Sequence, residues 1–237
     1  RQARHLPPTT PAPAEPPPPP PPEAEAGALL QPVIVQAQPK PDLPQPVAMK
    51  DPTVADQAGD VYDELAQAAA SIFAAAESET APEAPVVVAA VRNVLTCLEE
   101  GDQLLTETVR RRAEADSWSR RGANVAVMAM RLGRAIGFDE RRNLALGLCG
   151  LMHDIGMLCV PEQVLAADRL TPTQLKQLRQ HPVESQRIVR TFGKAFEWIA
   201  KVVVQVHERH DGSGYPKGLA GEEIHEFARI IGLVDTY

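Results

Sequence analysis

The chain has 237 residues, a formal net charge of −7, 44% hydrophobic residues and only 4% aromatic ones. That balance allows a sizeable core of Ala, Leu, Val and Ile, which reads helical, while the acidic charge and lack of a binding motif exclude a nucleic-acid polymer as partner. No apolar run approaches the roughly 20 residues of a membrane span, and three cysteines without metal-finger spacing (Cys97, Cys149, Cys159) read as reduced thiols of a cytoplasmic protein.

Residues 1–52 hold 17 of the 23 prolines, including the run Pro16–Pro22. Proline removes backbone donors and fixes one dihedral, so this stretch reads as a disordered, polyproline-like linker; a ligand for a proline-binding module is the alternative. Residues 53–103 read as a helical connector. Its first helix, over 53–80, is Ala-rich and amphipathic (Val61, Leu65, Ala69, Ile72, Phe73, Ala76), with Asp51 or Thr53 at its start. A second helix is expected over 84–112, with Val87, Val91, Val94, Leu95 and Leu98 on one side. Further helices are expected over about 117–137, 140–155, 182–192 and 195–208, Pro182 suiting a first helical turn after His181. A Gly/Pro-rich loop, 209–223, separates them from a last apolar periodic segment, Ile224–Tyr237. No strand-period segment competes, so the expected fold is all-α. The chain starts at Arg1 and stops at Tyr237 without a cap signal, so a fragment is expected, truncated at the C-terminus of its last domain, 104–237.

Charge is uneven. Residues 1–109 carry 5 basic and 16 acidic residues, whereas 110–142 carry 9 basic and 4 acidic ones. The basic stretch, with Arg110, Arg111, Arg112, Arg120 and Arg121, reads as a solvated helix face or as a phosphate-attracting surface.

Chemistry concentrates downstream. His153-Asp154 sits at the end of an apolar helix in LCGLMHDIGMLCV and sets an imidazole beside a carboxylate, donors that suit a divalent transition metal. His181, His207 and Asp235 follow at intervals of 28, 26 and 28 residues, on separate expected helices or their ends. A helical bundle brings such inward ligands together, and a bridging Asp154 would give each of two ions three protein donors. Gly212, Gly214, Tyr215 and Pro216 would shape a rigid loop beside them. Tyr215 is a packing or base-stacking residue, Lys217 a phosphate contact or a solvated lysine, and Asp211 an acceptor that orients a ligand histidine.

These segments resemble the HD-GYP family of the HD phosphohydrolase superfamily. The resemblance rests on HDIG at 153–156, HP at 181–182, HERHDGSGYPKGL at 207–219 and EFARIIGLVDTY at 226–237, and it covers about the C-terminal 55% of the chain. It implies a helical-bundle domain that hydrolyses cyclic di-GMP with two divalent ions, Fe or Mn. Asp154 would be the catalytic bridge, and His153, Asp154, His181, His207 and Asp235 the metal ligands. A cyclic dinucleotide and signalling proteins would be the partners.

Three positions depart from the family pattern. Arg121 stands where a metal-binding histidine is usual, Met157 where a lysine follows HDIG, and Val206 where a second histidine precedes the Glu. A guanidinium stays protonated and cannot ligate a metal, but it can hold a phosphate, which makes Arg121 a substrate-contact candidate beside Tyr215 and Lys217. His210 is a weaker candidate to replace the missing histidine. Two functions follow: a weakened metal-dependent phosphodiesterase, or an inactive HD-GYP-like signalling or docking module.

Overall fold

The computed structural model describes residues 52–112 and 117–236. The Pro-rich segment and Asp51 lie outside the described residues. Among those described, ten α-helices, three 3₁₀ turns and no strand are found, which bears out the all-α expectation.

The first helix, α1 (Pro52–Glu77), is followed by α2 (Ala84–Glu100) and α3 (Gln103–Arg112). The single helix expected over 84–112 is therefore two, interrupted at Gly101-Asp102. Glycine costs about 1 kcal/mol against Ala in a helix interior, and the pair offers an easy break. Next come α4 (Trp118–Ala135) and α5 (Glu140–Met152). Ser117 and Asp139 cap them, accepting from the backbone N–H of Arg120 and Arg142 respectively. A 3₁₀ turn, Ile155–Cys159, and two short helices absent from the sequence reading follow: α6 (Glu162–Leu165) and α7 (Pro172–Leu178). Thr171-Pro172-Thr173-Gln174 closes a capping box on α7. The chain continues through α8 (His181–Thr191), α9 (Glu197–Val203) and α10 (Glu226–Thr236).

One core unites these helices. Leu65 and Ile72 of α1, Val91 and Val94 of α2, Leu104 of α3, Met130 of α4, Leu146 and Leu151 of α5, Ile199 of α9 and Ile231 of α10 are all buried in it. The segment expected to be a connector, 53–103, thus packs into the same core as the downstream helices. A buried hydrogen bond ties it there: Tyr62 Oη donates to Asn124 Oδ1 of α4 at 2.6 Å. Arg111 of α3 pairs with Asp63 of α1 and Glu107, and its guanidinium lies 5.0 Å from the Tyr62 ring centre. Among the described residues no helix is long and apolar enough to cross a membrane.

Removing the Tyr62 hydroxyl leaves Asn124 buried without its donor. Tyr62→Phe is expected to lower unfolding free energy by about 1–3 kcal/mol, read by urea denaturation. A loss below about 0.5 kcal/mol, the range of an ordinary surface change, would mean that α1 is only loosely attached.

Candidate metal centre

The site begins where α5 ends. His153 caps α5, and Asp154 starts the 3₁₀ turn, so two adjacent side chains leave the helix at a corner rather than on one helical stripe. The backbone N–H of Gly156 donates to Ser185 Oγ of α8 at 2.9 Å. A Cβ on Gly156 would lie 2.0 Å from the His181 carbonyl oxygen and 2.4 Å from the Ser185 nitrogen. Only glycine lets the turn approach the first turn of α8 so closely, and this contact brings His181 to Asp154 across 27 residues of sequence.

The other two candidates arrive from the end of the chain. α9 stops at Val203, so the helix expected to reach 208 ends early and His207 stands in the turn beyond it. α10 carries Asp235, and Gly232 on the same helix sits where a Cβ would be 2.3 Å from the Val206 carbonyl oxygen. That close crossing sets Asp235 next to the turn bearing His207.

All five residues meet around Asp154. His153 Nε2 is 3.3 Å from Asp154 Oδ2 and 3.5 Å from Asp235 Oδ1. Asp154 Oδ1 is 3.3 Å from His181 Nε2 and 3.5 Å from His207 Nε2, and those two ring nitrogens are 2.8 Å apart. The donors form two triads, His153/Asp154/Asp235 and Asp154/His181/His207, each compact enough for one metal ion, with Asp154 in both.

The tautomers suit that purpose. His153 Nδ1 lies 2.8 Å from the Gly150 carbonyl and His181 Nδ1 2.7 Å from the Leu178 carbonyl. A carbonyl only accepts, so each ring carries a proton on Nδ1 and turns its Nε2, the atom free to ligate once deprotonated, into the site. His153 Nε2 is buried without an aligned hydrogen bond, although two carboxylates approach it. A buried ring nitrogen aimed between carboxylates is the donor a cation would satisfy. The set of imidazoles and carboxylates therefore fits divalent transition metals.

Electrostatics point the same way. Burial opposes charging of His153, but Asp154 and Asp235 outweigh it and raise its pKa to about 10. Burial pushes the Asp154 carboxyl up, yet His153 and the hydrogen-bonding rings of His181 and His207 hold it well below the carboxylate range. Asp235 is likewise lowered: burial works against ionisation, and His153 overcomes it.

The Gly/Pro-rich loop forms the outer wall. Tyr215 stacks on His207, with ring centres 5.1 Å apart and planes within 5°. Burial raises the Tyr215 hydroxyl to about 12, with Asp154 adding to the shift. Glu208, which the sequence reading did not single out, anchors this loop: its carboxylate accepts from the backbone N–H groups of Lys217 (2.7 Å) and Leu219 (3.0 Å) while 8% exposed. An acid next to a ligand histidine and just before a glycine-rich stretch was the available signal.

Several candidates lie elsewhere. Asp211 is exposed, and its Oδ1 accepts from the N–H and Oγ of Ser213. It shapes the turn, and backbone carbonyls orient His153 and His181 instead. His210 is exposed, outside both triads. Val206 is buried in the core and Met157 in a small apolar cluster with Val160 and Val164. Arg121 is exposed with its guanidinium 5.0 Å from the Trp118 ring centre, and no ion pair joins it to Asp154 or Asp235 among the described residues. Lys217 is exposed, and only its backbone is held.

Two measurements follow. Gly156→Ala must push α8 from the HD turn; it is expected to cost about 1–3 kcal/mol by overpacking and to lower metal uptake, read by denaturation and metal analysis. In chelator-treated protein the raised His153 value favours the protonated fold. That stabilisation is full below the unfolded pKa of about 6.5 and is lost as pH rises towards about 10. The urea midpoint is expected to fall between these pH values, and to fall less in His153→Gln.

The comparisons with known proteins agree with this geometry. The family model described as "HD domain" matches residues 98–237. The chain is 33% identical over 114 residues to the cyclic di-GMP phosphodiesterase PA4108 of Pseudomonas aeruginosa, covering 48% of this chain and 28% of that protein. It is 35% identical over 117 residues to the 3'3'-cGAMP-specific phosphodiesterase 1 of Vibrio cholerae, covering 48% and 26%. Thus the chain spans little more than a quarter of the length of these relatives. The solved structure of Bd1817, a HDG"Y"P protein from Bdellovibrio bacteriovorus, shares the fold with a TM-score of 0.65 at 20% identity, over 81% of this chain and 61% of that one. With HDIG at 153–156 and HDGSGYPKGL at 210–219 inside the matched span, the chain belongs to the HD domain family, in its HD-GYP branch.

Proposed function

We propose that this domain is a metal-dependent phosphodiesterase acting on a cyclic dinucleotide, with cyclic di-GMP the first substrate to test. The observation that carries the reading is the sharing of Asp154 between two three-donor triads. The printed activities of the relatives, cyclic di-GMP and 3'3'-cGAMP phosphodiesterases, support the substrate class. Divalent iron or manganese suits the mixed imidazole and carboxylate donors. A pair of such ions supplies positive charge for a phosphoryl oxygen and lowers the pKa of water.

The chain's own residues prepare that chemistry. Gly150 and Leu178 carbonyls hold two imidazoles with Nε2 inward, so the rings need not turn on loading, while the His153 proton is displaced. Asp154, held ionised, is the proposed catalytic bridge. His153 and Asp235 complete one triad, and His181 and His207 the other. Tyr215 is the proposed wall for a nucleotide, since it is locked to a ligand ring. Lys217 and Arg121 are proposed as outer contacts for its phosphates. A cytoplasmic setting is the proposed location, in keeping with Cys149 as a buried thiol whose pKa burial pushes far up.

A second reading, a nucleotide-binding or docking module without turnover, draws on the limitation of each triad to three protein donors, with Val206 buried in the core.

Metal stoichiometry and turnover separate the two readings. Loaded protein is expected to hold about two ions per chain, Asp235→Ala or His207→Ala about one, and Asp154→Ala under about 0.2. Cyclic di-GMP hydrolysis, read by chromatography of the linear product, is expected to vanish in Asp154→Ala. Turnover that survives this substitution would sink the enzyme reading, and full metal loading without turnover would favour the module.

A further inference from the structure

Two cavities flank the pair His181 and His207. The smaller, about 240 Å³, is lined by His181, Gly156, Cys159, Gln177, Gln180 and Glu184 among others. The larger, about 540 Å³, is lined by His207, Tyr215, Arg209 and Arg229 among others. Gln177 at the end of α7, Gln180 in the turn after it and His181 at the start of α8 line the first. Arg179, in the same turn, lies against Tyr215, which lines the second: its guanidinium is 5.3 Å from the centre of the Tyr215 ring.

Most cations around these cavities are already engaged. Arg229 pairs with Glu222 at 3.0 Å, Arg187 with Glu184 at 2.7 Å and Arg209 with Asp211 at 3.8 Å. Arg179 is exposed, and no carboxylate pairs with it among the described residues. Its side chain is nonetheless placed, because its backbone N–H closes the C-terminal turn of α7 on the Leu175 and Gln177 carbonyls and its head rests on an aromatic ring. A guanidinium that is oriented yet has its donors free is the arrangement for bidentate capture of an anion.

We infer that Arg179 is a substrate-binding residue that grips a phosphate of the cyclic dinucleotide where it leaves the metal centre, with Tyr215 as the platform that aims it. The inference rests on the proposed function for its substrate class. A cyclic dinucleotide carries a second phosphodiester and two bases beyond the reacting bond, and a cation seated on Tyr215, at the wall of the larger cavity, is set to meet that extension. Arg179 acts on affinity through charge and fork geometry, and not through the donors of the triads.

The test is the affinity of metal-loaded full chain for a phosphorothioate analogue of cyclic di-GMP, which resists hydrolysis, measured by calorimetry at two salt concentrations. Arg179→Ala is expected to weaken binding about tenfold or more with metal content unchanged. It should also flatten the salt dependence, since one screened charge contact is gone. Arg179→Lys, which keeps the charge without the fork, is expected to recover part of the loss. Affinity within twofold of wild type in Arg179→Ala would overturn the inference and leave the proposed function standing. So would weakened binding with an unaltered salt slope and no recovery in Arg179→Lys, the mark of a merely structural role. Wild-type protein that neither binds the analogue nor hydrolyses cyclic di-GMP would overturn both.

Discussion

Burying a carboxylate costs several kcal/mol unless its charge is met on each side, and Asp154 is buried at the centre of the molecule's polar interior. Three imidazoles surround it, and each comes from a different part of the chain: His153 from the end of α5, His181 from the start of α8, His207 from the turn after α9. The need to compensate one oxygen pair is thus met at the ends of three helices. Helix termini, not helix faces, converge here, because a terminus lets a side chain point along the axis into a gap that no helical stripe would fill.

Close backbone approach is the second constraint, and it serves the first. Gly156 against α8 and Gly232 against the turn at Val206 fix the two distances that sequence separation leaves free. Around this rigid centre the apolar core does ordinary work. Ala, Val, Leu and Ile fill most of it, with Tyr62, Phe73, Phe192, Phe196 and Phe227 among them.

The candidate donor set and the helical class were legible in the sequence, because both depend on residue identity: HDIG, HP and the GYP block carry donors at nearly even intervals, and Ala and Leu periodicity marks helices. Geometry was less legible. The break at Gly101 was read as continuous because the apolar pattern runs through it, and α6 and α7 are too short to show a period. Asp211 resembled an orienting acceptor, but an Asp followed two residues later by Ser closes its own turn. The groups that orient His153 and His181 are backbone carbonyls, invisible to any reading of side chains. Glu208 was passed over because its partners are backbone N–H groups nine and eleven residues away. Arg121, which alignment sets at a position usual for a metal-binding histidine, rests on Trp118, a contact that its residue type alone does not reveal.

For the proposed pair of ions, the sharing of Asp154 between two triads has a thermodynamic consequence. Two cations that use one carboxylate cannot load independently. The first to arrive withdraws charge from the common oxygens and repels the second, while fixing the carboxylate in the orientation the second requires. Each occupancy alters the other's dissociation constant by the same factor, so the centre has stepwise affinities instead of two separate ones. If the proposed pair of ions binds, its two loadings are therefore coupled through one carboxylate, and the singly occupied form has a range of metal concentration of its own.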